Sequence, residues 1–80
     1  MVKLLMLLSL FFSFAIGAIN INKANSAQLQ RLYGIGPTKA QEIIKYRKAH
    51  NGFRSVDELV NVKGIGAKTV IKIKPQVTVR

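Results

Sequence analysis

The sequence predicts an all-α fold: a small domain built from two copies of one unit, each a helix, a tight hairpin and a second helix, set behind an N-terminal signal peptide. Three observations predict it. The chain repeats itself at a period of thirty residues, each copy carries helix-start and helix-stop signals, and the first eighteen residues differ in composition from the rest. Leu29-Gln30-Arg31-Leu32-Tyr33-Gly34-Ile35-Gly36 aligns with Leu59-Val60-Asn61-Val62-Lys63-Gly64-Ile65-Gly66. The match continues from Ala40 to Val70 and from Ile43 to Ile73. A fixed period of this length marks a duplicated supersecondary unit.

The N-terminus comes first. Lys3 supplies a positive start, Leu4 to Ile16 is apolar except for Ser9 and Ser13, and Ala15, Gly17 and Ala18 are small. That layout is a secretory signal peptide, assigned to residues 1–18. The apolar run is shorter than the roughly 20 residues that span a bilayer, so no stable membrane span is expected after cleavage. The cut falls after Gly17 or after Ala18, and both stay open. Residues 19–80 then form the domain and keep twelve of the 13 Lys and Arg residues. The chain has no cysteine, which excludes disulfides and thiolate metal sites. A domain this small without disulfides must be compact and mostly helical. Export without cysteine is ordinary in a bacterial envelope, so the expected location is the periplasm.

Within the domain, Ile19 to Asn22 reads as an extended lead-in. Asn25 is an N-cap with Gln28 as its capping-box partner, opening a short helix from about Ser26 to Leu32. Gly34 and Gly36 break that helix and permit positive φ. Pro37 suits the first turn of the next helix, which carries Ala40, Ile43, Ile44 and Arg47 on one face. That helix stops near His50 at Asn51-Gly52, closing motif one at about 26–50. Motif two, about 55–74, repeats the logic. Ser55 and Glu58 read as a second capping box, Gly64-Ile65-Gly66 as the second hairpin, and the last helix runs from about Ala67 to Lys74, where Pro75 ends it. The tail from Gln76 is extended.

The charge balance, 13 Lys and Arg against 3 Asp and Glu, points to a polyanionic partner. The hairpins say how it would be held. Amides in the first turn of a helix have no partner inside the helix, carry partial positive charge and suit a phosphate oxygen. Close approach requires that side chains be absent, a need that Gly34, Gly36, Gly64 and Gly66 meet. Ile35 and Ile65 point inward and pin each hairpin to the core. Thr38 and Lys39 follow the first hairpin, and Lys68 and Thr69 the second, so each loop has one hydroxyl and one ammonium. Lys63 and Lys72 flank the second hairpin and extend the contact. A dinucleotide fingerprint would need a third glycine and a preceding strand, and a Walker loop would need Gly-Lys-Ser or Gly-Lys-Thr. One histidine and three acids are too few for a metal cluster, and helix-dipole and capping roles suffice for Asp57 and Glu58, so no paired catalytic carboxylates are suggested. His50 reads as a helix cap, and Arg47 as a packed stem capping carbonyls. No cofactor is implied.

Four stretches carry a family resemblance: Asn20-Ile21-Asn22-Lys23-Ala24-Asn25-Ser26-Ala27-Gln28-Leu29; Leu32-Tyr33-Gly34-Ile35-Gly36-Pro37; Ile43-Ile44-Lys45-Tyr46-Arg47; and Gly52-Phe53-Arg54-Ser55-Val56-Asp57-Glu58-Leu59 running into Gly64-Ile65-Gly66. With these, residues 19–80 resemble the helix-hairpin-helix domain of ComEA-type competence proteins. The resemblance implies a tandem helix-hairpin-helix, or (HhH)2, fold whose hairpins hold double-stranded DNA across the minor groove. It also implies a role in DNA uptake during natural transformation, beside other proteins of the uptake machinery. Tyr33 stands where the family often has proline. The chain looks like the short periplasmic form, without the long linker and anchor of larger members. The expected function is therefore sequence-independent duplex binding through phosphates, with no enzymatic step. The alternative is a basic module that docks an acidic protein or an anionic membrane surface.

Overall fold

The computed structural model describes residues 18–79. The signal peptide expected over residues 1–18 lies, apart from Ala18, outside the described residues, and so does Arg80. Along the chain come a strand β1 (Ile19–Asn20), helix α1 (Ser26–Leu29), helix α2 (Pro37–His50), a 3-10 helix (Val56–Asn61), helix α3 (Ala67–Ile73), a 3-10 turn (Lys74–Gln76) and strand β2 (Val77–Thr78). The all-α expectation holds, with one addition. The extended lead-in and tail pair as a two-stranded parallel sheet, Ile19 opposite Val77 and Asn20 opposite Thr78. A parallel pair needs a long crossover, and here both motifs are that crossover, so the sheet ties the two ends of the domain together.

The core is written twice. Leu29, Leu32, Ile35, Ala40 and Ile43 are buried, and so are their partners thirty residues on: Leu59, Val62, Ile65, Val70 and Ile73. The backbone repeats with them. Ile35 N donates to Leu32 O and Ile65 N to Val62 O, both at 3.1 Å; Ala40 N donates to Gly36 O at 2.9 Å and Val70 N to Gly66 O at 3.1 Å. Ile21, Ala24, Phe53 and Val77 complete the core outside the repeat.

Local signals explain most boundaries. At Asn25 both capping-box bonds form: Gln28 N donates to Asn25 Oδ1 at 2.8 Å, and Asn25 N to Gln28 Oε1 at 2.9 Å. Helix α2 begins with Pro37 behind Gly36 and ends at Asn51, which is left-handed (φ 57°), followed by Gly52 (φ 97°). Three expectations need correction. Helix α1 ends at Leu29 and not at Leu32, because Arg31 N and Leu32 N turn to the tighter i−3 carbonyls of Gln28 and Leu29. That winding leaves the Leu32 carbonyl for Ile35. Motif two opens with a 3-10 helix, and Ser55 makes no side-chain cap bond. In that register Glu58 N already donates to Ser55 O at 3.3 Å, which removes the donor the hydroxyl would cap. Helix α3 stops at Ile73, and the chain tightens into the 3-10 turn around Pro75.

Long-range polar bonds lock the N-terminal segment onto the end of α2. Half-buried Asn22 pairs with the backbone of Phe53 at both ends of its amide: Nδ2 donates to Phe53 O at 3.0 Å, and Oδ1 accepts from Phe53 N at 2.6 Å. Arg47 Nη1 donates to the carbonyls of Ile21 (3.0 Å) and Ala24 (2.6 Å), the capping role read from the sequence. Asn22→Ala leaves a backbone donor and acceptor at buried Phe53 without these partners. The expected loss is about 1–3 kcal/mol in the denaturation free energy, whereas Asn61→Ala, exposed and of the same residue type, should stay within about 0.5 kcal/mol of wild type.

Glu58 is a second lock. Its carboxylate accepts from Arg54 N and from the Tyr46 hydroxyl, each at 2.9 Å. The Arg54 amide first, and the Tyr46 hydroxyl after it, hold its pKa below the ordinary 4.5. A carboxylate lowered on folding adds stability that is present above its unfolded pKa and is lost as pH falls through the folded value. The melting-temperature gap between wild type and Glu58→Gln should therefore be widest above pH 4.5 and close as the pH drops below it.

Candidate nucleic-acid interface

The two hairpins share one backbone geometry. Gly34 and Gly64 take positive φ, 73° and 89°. Gly36 and Gly66 are extended N-caps at φ −94° and −98°, with no side-chain cap bond at either. A Cβ added at Gly36 or Gly66 would meet nothing within 4 Å. The two glycines of each hairpin thus serve different needs. The first makes the turn, where an L side chain is strained. The second leaves the approach to the following turn of helix open.

The residues that follow divide in the same way. Thr38 and Lys68 are exposed, whereas Lys39 and Thr69 are half-buried. The structure shows why: each of the latter crosses to the opposite hairpin. Lys39 Cγ and Cε lie 3.6 and 3.7 Å from the Cβ position of Gly64, and Thr69 Cγ2 lies 3.8 Å from that of Gly34. These reciprocal contacts, equivalent under the thirty-residue repeat, set the hairpins side by side. Lys39 Nζ reaches back to Gly34 O at 3.3 Å, so its ammonium stays at the first hairpin while its stem covers the second. Ile35 and Ile65 are each only 4 % exposed, with their amides bonded to Leu32 and Val62; they enter the site as anchors.

Of the flanking lysines, Lys63 is exposed at the second hairpin and lines a shallow depression with Glu42, Tyr46 and His50. Lys72, read from the sequence as flanking the same hairpin, has a side chain that reaches the first. Its ammonium sits over the ring of Tyr33, at the first hairpin, 4.7 Å from the centroid. Position in the chain placed Lys72 near Gly66, but α3 leans on the first hairpin through Thr69, and Lys72 lies one turn further along that face. Sequence reasoning missed this exchange of helices between hairpins. The signal open to it was the i, i+3 spacing of Thr69 and Lys72, matched by Lys39 and Glu42.

His50 Nδ1 pairs with the Tyr46 carbonyl at 2.9 Å, and the Tyr46 ring stacks between His50 and Phe53. Asp57 pairs with Lys74 at 3.2 Å on the surface. Among the described residues no group of three His, Cys, Asp or Glu side chains is placed to hold a metal ion. No helix among them is long and apolar enough to cross a membrane.

Two hairpins of one geometry, each flanked by helices and packed on a common core, define a tandem helix-hairpin-helix protein. The chain belongs to the helix-hairpin-helix motif family, which matches residues 15–78. It is 42% identical over 62 residues to ComE operon protein 1 of Bacillus subtilis, a match that takes in 78% of this chain and 30% of that protein. The domain is thus of the ComEA type that the sequence resembles. It is also 38% identical over 60 residues to an uncharacterized protein of Haemophilus influenzae, covering 74% of this chain and 54% of that one. A third similarity, 42% over 59 residues, is to the mouse endonuclease/exonuclease/phosphatase family domain-containing protein 1, of which the match covers 10%. The chain therefore spans about a third to a half of the two bacterial relatives and a small part of the mouse protein.

Proposed function

We propose that this domain binds double-stranded DNA through its backbone phosphates, without regard to base sequence, and serves DNA uptake in a bacterial envelope. The observation that carries the reading is the pair of hairpins held side by side by Lys39 on Gly64 and Thr69 on Gly34. Each presents an open glycine and first-turn amides, a surface that suits a phosphate. Gly34, Gly36, Thr38 and the Lys39 ammonium form the first grip. Gly64, Gly66, Lys68 and Thr69 form the second, with Ile35 and Ile65 fixing both from below and Lys63 and Lys72 adding charge. Phosphate contacts position a protein without reading bases. The likeness to the Bacillus protein supports competence as the setting, with other uptake proteins as partners. The leader-like residues 1–18 support export to the periplasm. Binding without catalysis fits a chain whose Asp57, Glu58 and His50 all make structural contacts.

Fluorescence anisotropy of the purified protein on unrelated duplexes across a salt series tests this. With about four to six phosphates neutralised, log K should fall with log salt at a slope of roughly −4 to −5 on every duplex. A flat salt response, or a strong preference for one sequence, would defeat the reading. Binding to anionic vesicles or an acidic protein in place of DNA would establish the docking alternative.

A further inference from the structure

The two hairpins are copies in backbone but not in what stands across from them. Beside the second, Lys63 shares its depression with Glu42 of α2. Thirty residues away the equivalent pair is Tyr33 and Lys72. Lys72 Nζ lies 4.7 Å from the Tyr33 ring centroid and donates to its hydroxyl at 3.4 Å. Tyr33 is 60 % exposed, so packing does not account for the ring. Tyr46, by contrast, stacks on two neighbours.

What the ring does is hold an ammonium. Attraction between a cation and an aromatic face restrains Lys72 before any ligand arrives, which reduces the ordering cost of binding. An ammonium has three donors. One goes to the phenol oxygen, which leaves two, and the phenol keeps its own O–H to donate. The Lys39 ammonium stands on Gly34 O, next along the chain from Tyr33. The first hairpin therefore gathers two ammonium groups from two different motifs and a neutral hydroxyl. The second has Lys63 and Lys68, with the carboxylate of Glu42 in the place that Lys72 takes at the first.

We propose that Tyr33 and Lys72 form an additional phosphate-holding pair, assembled across the two motifs, so that the first hairpin holds a phosphate at a place where the second, with Glu42 there, holds none. This rests on the DNA-binding reading above. The pair has the chemistry for one phosphate group: a charged N–H and a phenolic O–H meeting two oxygens, with the stronger, charge-assisted bond from lysine. It also makes the protein's hold on DNA unequal at its two ends.

A double-mutant cycle on the purified protein tests it, read as duplex affinity over a salt series, with melting temperatures confirming that these exposed changes leave the fold intact. Lys72→Met should weaken binding roughly threefold to tenfold and reduce the salt slope by about 0.9. Tyr33→Phe, which keeps the ring and loses the hydroxyl, should weaken binding about threefold with little change in slope. The double variant should be weakened by less than the product of the single effects. Lys48→Met, near the far end of α2, removes an equal charge and should change the slope less. Glu42→Lys, which gives the second hairpin a lysine at the position of Lys72, should steepen it. If Lys72→Met matches Lys48→Met, or if the Tyr33 and Lys72 effects simply multiply, the pair is not a unit and the inference fails while the DNA-binding reading stands. If wild type binds no duplex, both fail.

Discussion

Gly36→Ala combined with Gly66→Ala is expected to leave the protein folded and to weaken duplex binding by roughly tenfold or more. Both positions have ordinary extended φ, and an added Cβ meets nothing within 4 Å. Two small effects of opposite sign act on stability. Alanine is a poorer N-cap than glycine, yet it lowers the entropy of the unfolded chain, so each change should stay within about 1 kcal/mol. The open space beside each glycine is where a phosphate would approach the first-turn amides, and a methyl group there keeps it out. Gly34→Ala and Gly64→Ala behave differently. Their positive φ makes any L side chain strained, at about 1–2 kcal/mol each, although the added carbon would meet Lys39 and Thr69 only at ordinary contact distance. Those variants confound stability with binding, whereas the Gly36/Gly66 pair separates them. Circular dichroism melts beside anisotropy provide the check. Unchanged binding by the folded Gly36/Gly66 variant would mean that lysine charge alone holds the DNA.

Ile43→Ala should destabilise the domain by about 2–5 kcal/mol through lost burial and the cavity left behind, and Ile73→Ala should do so to a similar degree. Both side chains are fully buried and occupy equivalent places in the two motifs. A domain of this size has total stability of only about 3–9 kcal/mol, so either variant should lose a large share of it. Urea denaturation at 10–25 °C measures the effect while the variants still fold. Equal losses at the two sites would show that the motifs contribute alike to one cooperative core. A loss at one site alone would mean that one motif carries the fold.

Much of this architecture was legible in the residues. Asn25 with Gln28, Pro37 behind Gly36, and Asn51-Gly52 each act on backbone groups a few residues away, and each appears where the sequence places it. The paired burial of Leu29 with Leu59, Leu32 with Val62, Ile35 with Ile65 and Ile43 with Ile73 follows from the thirty-residue repeat, since equal patterns bury equal faces. Ser55 with Glu58 shows the limit of such signals. The residue types match a capping box, but the Glu58 carboxylate goes to the Arg54 amide and to the hydroxyl of Tyr46, twelve positions earlier, while the 3-10 turn occupies the Glu58 amide.

The sequence by itself thus determined the helical class, the two hairpins, their glycines and the set of basic residues around them. Helix caps, turns and amphipathic faces are settled by neighbours within about one turn of chain. The tertiary structure alone decided which hairpin each helix serves. It set Lys39 on Gly64, Thr69 on Gly34, Lys72 on Tyr33, Asn22 on Phe53 and β1 on β2. Those contacts join residues twenty-five or more positions apart. Nothing in the local chain encodes them; they exist because packing two equivalent motifs on one core swings the helix of each across the hairpin of the other.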